Sequence, residues 1–128
     1  MMGDTTHRPA GSVLVVDDDP GVAGSIRDLL EDEGFGVEVA SAGLDALESL
    51  ARRRPALVVL DVMLPDIYGE GVANAVRSAY RDVPIVLTSG LPVTSDEMLA
   101  VKAAAFVRKP FDADKLLEAV HHCLAVIS

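Results

Sequence analysis

The sequence predicts an open α/β fold: one five-stranded parallel sheet, strand order 2-1-3-4-5, doubly wound with helices on both faces. Three observations lead there. Leu57-Val58-Val59-Leu60 is an unbroken apolar run with two β-branched residues, and it reads as a strand buried on both faces, as central strands of parallel sheets are. Strand-like runs then alternate with helix-period segments five times, with short connections and no internal linker. That repetition requires right-handed crossovers between parallel strands. Finally, carboxylates, a hydroxyl and an ammonium stand at the carboxyl ends of the apolar runs. In open sheets that edge, at the switch point between the first and third strands, is where ligands bind.

The 128 residues suffice for one domain with a real core and not for two. We expect residues 1–11 to be a frayed polar tail and 12–128 the domain. Half of the chain is hydrophobic but only 4% is aromatic, so the core is aliphatic. A net charge of -9 argues against a surface that grips phosphate backbones or anionic lipid, so neither nucleic acid nor membrane is an expected direct partner. It permits a site that gathers carboxylates around a cation. Cys123 has no second cysteine to pair with, which suits a reducing, cytoplasmic compartment. No apolar run approaches a membrane span, and the first eleven residues lack the hydrophobic stretch of a secretory signal.

In chain order, Ser12-Val13-Leu14-Val15-Val16 is the first strand and runs into Asp17-Asp18-Asp19-Pro20. Asp19 before Pro20 is an N-cap followed by proline at the first helical position. The helix carries Val22, Ile26, Leu29 and Leu30 at helical spacing and ends at Gly34. That account leaves Asp17 and Asp18 unexplained, crowded at a buried strand end where like charge favours a cation or a shifted pKa. Residues 35–40 form an edge strand with Glu38 as its charged position. A helix over Ala42 to Arg54 turns Leu44, Leu47, Leu50 and Ala51 inward and stops before Pro55. Its Arg52-Arg53-Arg54 run is a solvated C-terminus facing the negative end of the dipole rather than a nucleic-acid patch.

The central strand ends at Asp61, and Pro65 and Gly69 mark the loop beyond it. A helix follows over Glu70 to Tyr80, with Val72, Ala73 and Val76 inward. Val83 to Leu87 is the fourth strand, ending in Thr88-Ser89-Gly90. Thr94 or Ser95 caps a fourth helix to about Ala104, whose stripe of Met98, Val101 and Ala105 is thin and predicts loose packing. Residues 105–108 are the last strand, leading into Lys109-Pro110-Phe111. Asp112 caps a last helix with Leu116, Leu117, Val120, Cys123, Leu124 and Ile127 inward. His121 and His122 are surface residues there, with no Cys or His partner at metal spacing.

The topology brings Asp17, Asp18, Asp61, Thr88 and Lys109 to one sheet edge. Clustered carboxylates suit a hard divalent cation such as Mg²⁺, and a cation there makes a carboxylate able to accept a phosphoryl group. Lys109 adds a point charge for the same oxygens. Such a set is what an aspartyl phosphate requires.

With these residues the chain resembles the receiver domains of bacterial two-component response regulators, over Ser12 to about Ile127. Four motifs carry the resemblance in the right order: Val-Val-Asp17-Asp18-Asp19-Pro20, Val-Leu-Asp61-Val-Met-Leu-Pro65-Asp66-x-x-Gly69, Ile-Val-Leu-Thr88-Ser89-Gly90 and Phe106-Val-Arg-Lys109-Pro110-Phe111. The resemblance implies the flavodoxin-like form of the fold. It makes Asp61 the phosphoacceptor, taking its phosphoryl group from a sensor histidine kinase or a His phosphotransfer protein. Asp17 and Asp18 become the acidic pair that holds Mg²⁺ with Asp61, and the Met63 backbone carbonyl a further ligand. Thr88 would bind a phosphoryl oxygen, Lys109 would pair with the phosphate, and the Lys109–Pro110 bond would be cis. Thr88 and Phe106 would switch the face of the fourth helix, last strand and last helix, which a downstream protein effector reads. Phe106 stands where many relatives have Tyr, Ala105 where Gly is frequent, and Tyr68 where Asp is frequent. Such a module is no enzyme beyond catalysing its own phosphorylation and dephosphorylation. Met63 and Gly90, two residues beyond the acceptor and the Thr, offer no side chain that would orient a hydrolytic water, which predicts a long-lived phosphoryl group. The alternative is a receiver-like binding module that signals without phosphate. A phosphatase of the haloacid-dehalogenase type fits worse, because Met63 occupies the place of its second acid.

Overall fold

The computed structural model describes residues 11–64, 69–92, 94 and 102–127. Strands β1 (Ser12–Val16), β2 (Gly36–Ala40), β3 (Leu57–Asp61), β4 (Ile85–Ser89) and β5 (Ala105–Arg108) pair in parallel in the order β2-β1-β3-β4-β5. Helices α1 (Pro20–Asp32), α2 (Gly43–Arg52), α3 (Gly69–Ala79) and α4 (Ala113–Ile127) lie between and after them. The predicted fourth helix, with Met98 and Val101, falls largely outside the described residues, as do residues 1–10 and the loop positions 65–68.

Alternation along the strands builds two cores, because successive side chains leave a strand on opposite faces. Val13, Val15, Leu57, Val59, Val86 and Val107 pack with Ala23, Ile26 and Leu30 of α1 and Leu116, Val120 and Cys123 of α4. Leu14, Val16, Val58, Leu60, Ile85 and Leu87 pack with Ala46 and Leu50 of α2 and Val72, Ala73 and Val76 of α3. The central strand β3 is buried at all of its positions, as its unbroken apolar run requires.

Local signals act as expected at several ends. Asp19 caps α1, its Oδ1 accepting from the amides of Gly21 (2.9 Å) and Val22 (3.2 Å), and Gly34 follows that helix at φ +97°. Asp112 Oδ1 accepts from the amide of Lys115 at 2.9 Å and opens α4. Others differ. Gly11, assigned to the tail, is held in the body: its carbonyl accepts from Gly36 N at 3.0 Å, and a Cβ there would meet Ala56 Cβ at 2.9 Å. Strand β2 begins at Gly36 rather than Phe35, which is buried in the α1 core ahead of it. Helix α3 begins at Gly69 and ends at Ala79, one residue ahead of its predicted span at each end.

The α2 helix ends at Arg52, two residues earlier than predicted; Arg53 is already extended, and Pro55 disfavours helical backbone at Arg54, so the helix cannot run to the predicted end. Its inward stripe also differs. The short Ser41–Ala42 connection sets the helix rotation so that Gly43, Ala46, Ser49 and Leu50 face the sheet, and Leu44 stands 62% exposed with Ala51 also outward. Strand β4 is Ile85–Ser89 instead of Val83–Leu87. Pro84 has no N–H to give a ladder and contributes only its carbonyl, which accepts from Val58 N at 3.0 Å. Thr88 and Ser89 are therefore part of the strand, and Thr88 pairs with Asp61 across β3 and β4.

Candidate functional site

At the carboxyl ends of β1, β3 and β4 the apolar runs give way to Asp17, Asp61 and Thr88. The β1–β3 and β3–β4 registers bring Val16 beside Leu60 and Asp61 beside Thr88. The ladder persists past the strand ends: Asp17 N donates to Ala40 O (3.0 Å), Val62 N to Thr88 O (3.0 Å) and Lys109 N to Ser89 O (2.8 Å). These bonds hold the loop residues in fixed register with the strands.

Asp17 is 2% exposed and Asp61 6%, while Asp18 is exposed beside them. One carboxylate oxygen from each lies within 4.8 Å of the others. Lys109 Nζ reaches across from the end of β5 to Asp17 Oδ2 at 2.7 Å and Asp61 Oδ2 at 3.3 Å. The other oxygens are used locally: Asp17 Oδ1 accepts from Asp19 N (2.9 Å) and Asp61 Oδ1 from Met63 N (3.1 Å). Asp61 thus has its backbone-facing oxygen anchored and its second oxygen under Lys109.

Burial raises the Asp61 pKa above the ordinary carboxylate value. The Met63 amide and Lys109 pull it back, and the neighbouring Asp17 charge adds to the rise. Burial by itself would lower the Lys109 pKa. The Asp17 hydrogen bond and the charges of Asp17 and Asp61 outweigh it and raise that value, so the ammonium stays charged between its two carboxylates.

Thr88 is fully buried and its Oγ1 has no hydrogen-bond partner among the described residues. A sealed hydroxyl costs about 1–3 kcal/mol if nothing accepts or donates to it. Phe106 is half-buried and packs against the α2/α3 core, and the Lys109–Pro110 peptide bond is cis. The Met63 side chain is 55% exposed at the mouth.

The donor set fits a hard divalent cation. Three carboxylates against one ammonium leave two uncompensated negative charges, and oxygen is the only donor element the carboxylates offer. The structure brings together Asp17, Asp18, Asp61 and Lys109, with Thr88 one strand away in register. Sequence reasoning missed Ser89, whose Oγ accepts from Leu91 N at 3.0 Å and whose carbonyl fixes Lys109 N. Its only signal was a second hydroxyl ahead of Gly90.

A family model for the response regulator receiver domain matches residues 13–121. The response regulator MprA of Mycobacterium leprae is 38% identical over 114 residues, which are 88% of this chain and 50% of that protein. The nitrogen assimilation regulatory protein NtrX of Azorhizobium caulinodans is 33% identical over 122 residues, 92% of this chain and 27% of that protein. The chain therefore spans about half the length of MprA and less of NtrX. Among solved structures, the CheY-like receiver domain protein of Methanospirillum hungatei superposes with a TM-score of 0.84 at 27% identity, covering 89% of this chain and 93% of that one. TrrA of Thermotoga maritima, solved in complex with Mg(2+)-BeF, gives 0.80 at 31% identity over 88% and 98%. No helix among the described residues is long and apolar enough to cross a membrane. The acidic pocket, the sheet order and these matches agree, and the chain belongs to the response regulator receiver domains, the phosphoacceptor modules of two-component signalling.

Proposed function

We propose that Asp61 accepts a phosphoryl group from a phosphohistidine, carried by a sensor histidine kinase or a His phosphotransfer protein in the cytoplasm. The observation that carries this reading is the setting of Asp61: a buried carboxylate at the end of the central strand, with Lys109 Nζ at 3.3 Å and two further carboxylates within 4.8 Å. In the transfer, an Asp61 carboxylate oxygen forms a bond to phosphorus as the phosphorus–nitrogen bond breaks, and the imidazole leaves and takes up a proton. Asp17, Asp18 and Asp61, with the Met63 carbonyl, would hold Mg²⁺; bound there, the ion neutralises charge on the phosphoryl oxygens. Lys109 exchanges its contact with Asp61 for one with a phosphoryl oxygen. Thr88 turns its unpartnered hydroxyl toward another, and Phe106 follows, shifting a pre-existing equilibrium of the face around β5 and α4 that a protein effector reads.

The test is direct. Acetyl phosphate with Mg²⁺ should give the chain a single acid-labile phosphoryl adduct by intact mass, and Asp61→Asn should show none. The same adduct on the variant would move the acceptor elsewhere.

A further inference from the structure

Ser89 closes β4, is only 3% exposed, and ties together two loops that border the acidic site. Its carbonyl accepts from Lys109 N at 2.8 Å, and its Oγ accepts from Leu91 N at 3.0 Å. The first bond fixes the backbone of the residue whose Nζ reaches Asp17 and Asp61. The second closes the turn through Gly90. Gly90 and Lys109 line one open groove of about 800 Å³ beside α1, so Ser89 joins two walls of a single opening.

The hydroxyl does not act on the acidic site itself, because successive side chains leave a strand on opposite faces. Asp61 and Thr88 alternate with Leu60 and Leu87 and so share the face of Val59 and Val86, which pack toward α1 and α4. Ser89 shares the face of Leu87, on the α2 and α3 side. What its hydroxyl holds is backbone. Any residue at position 89 would bring the carbonyl that fixes Lys109, so the serine side chain matters for the Leu91 amide. The turn needs that tie. Glycine has the most backbone freedom to lose, and a Cβ built on Gly90 meets nothing within 4 Å, so packing does not hold the chain there. Leu91 gives little hold of its own, with its side chain 63% exposed.

We propose that Ser89 is a positioning residue for phosphoryl transfer, its hydroxyl locking the Gly90 turn so that Thr88 and Lys109 keep their places about the phosphoryl group. This rests on Asp61 being the phosphoacceptor. Thr88 precedes Ser89 in the chain and Lys109 hangs from the Ser89 carbonyl, so a loosened turn lets both groups drift. Displacements of about 1 Å are enough to slow a transfer that depends on alignment. The carboxylates have anchors of their own, Asp17 on Asp19 N and Asp61 on Met63 N. Loss of the Ser89 hydroxyl therefore slows the transfer step without weakening the hold on Mg²⁺.

The test follows adduct formation from acetyl phosphate by intact mass across a range of Mg²⁺ concentrations. Ser89→Ala should lower the rate at saturating Mg²⁺ about fivefold and leave the Mg²⁺ midpoint unchanged. Leu91→Pro deletes the donor of the same bond, at a residue that Pro92 already biases toward the extended backbone proline accepts. It should slow the rate by the same factor, and the double variant should be no slower than either single one. A hydroxyl that serves stability alone would lower the urea midpoint and leave the saturating rate as it was. That result, a shifted Mg²⁺ midpoint that accounts for the slowing, or losses that multiply in full in the double variant would overturn the assignment. An unaltered chain that forms no adduct would overturn the phosphoacceptor reading and this one with it, whereas an adduct formed as fast by Ser89→Ala removes the positioning role alone.

Discussion

At the carboxyl edge of the sheet, three carboxylates crowd one ammonium and Thr88 Oγ1 is sealed without a partner among the described residues. At the amino edge, two polar side chains at the end of α3 are tied to backbone carbonyls. Arg77 donates to the carbonyls of Arg81 (2.6 Å) and Val83 (2.7 Å), and the Tyr80 hydroxyl donates to Leu50 O at 2.7 Å, binding α3 to α2. Even there Arg77 Nε is buried without a partner among the described residues, so the contrast is one of degree. It teaches that stability and reactivity occupy different ends of the same strands, and each should be removable without the other.

The largest expected effect comes from taking away the cation that makes the crowded edge tolerable. Lys109→Met leaves Asp17 and Asp61 buried and unmatched and should lower stability in urea by about 3 kcal/mol, the low end for a broken buried pair because the mouth is open. Adding Asp61→Asn to that variant should return part of the loss. A loss that persists in full would mean that Lys109 acts through packing and not through charge.

Next in size is the response to metal. Mg²⁺ at about a hundredfold its Kd should stabilise the folded chain by about 2.7 kcal/mol, seen as a rise in Tm. Asp18→Ala should blunt the rise, and an equal rise in the variant would place the ion away from the cluster. The opposite edge supplies the control. Arg77→Met removes two hydrogen bonds and should cost about 2 kcal/mol while leaving the phosphoryl adduct intact by mass. Failure to accept phosphate in a folded Arg77→Met chain would show that the two edges are coupled.

The smallest effect concerns lifetime. Met63, 55% exposed, presents an apolar side chain at the mouth, and Gly90 presents none. Hydrolysis needs a water held in line with the leaving carboxylate. Met63→Asn with Gly90→Glu should therefore speed loss of the phosphoryl group in Mg²⁺ buffer by up to about tenfold, roughly 1.4 kcal/mol of barrier. Equal decay of the two proteins would assign the lifetime to something other than water positioning.

Much of this was legible in the chain because burial writes itself into apolar runs. Leu57 to Leu60 declares a strand covered on both sides, and Asp61 at its end declares where the sheet opens. Helix rotation was less legible. Periodicity weights large residues, so Leu44 was expected inward. A short connection from β2 instead turns the small residues Gly43, Ala46 and Ser49 toward the sheet. The extent of β4 was hidden for a related reason, since Thr88 and Ser89 are polar by composition and fully strand-like by pairing. Arg77 and Tyr80 could not be read at all. Their partners are backbone carbonyls, which every residue possesses, up to 30 positions away in the chain.

The strict alternation of side chains between the two cores has a further consequence. Ile26 and Leu116 lie in one compartment, Leu50 and Val76 in the other, with the sheet as a wall between them. Substitutions on opposite sides share no partner and should sum as independent perturbations, whereas those on one side should interfere. Communication between the compartments is left to the strand backbones themselves. Asp61 and Thr88 pair across adjacent strands near their carboxyl ends, and a displacement of either tugs on both compartments through the strand backbone rather than through any chain of touching side chains.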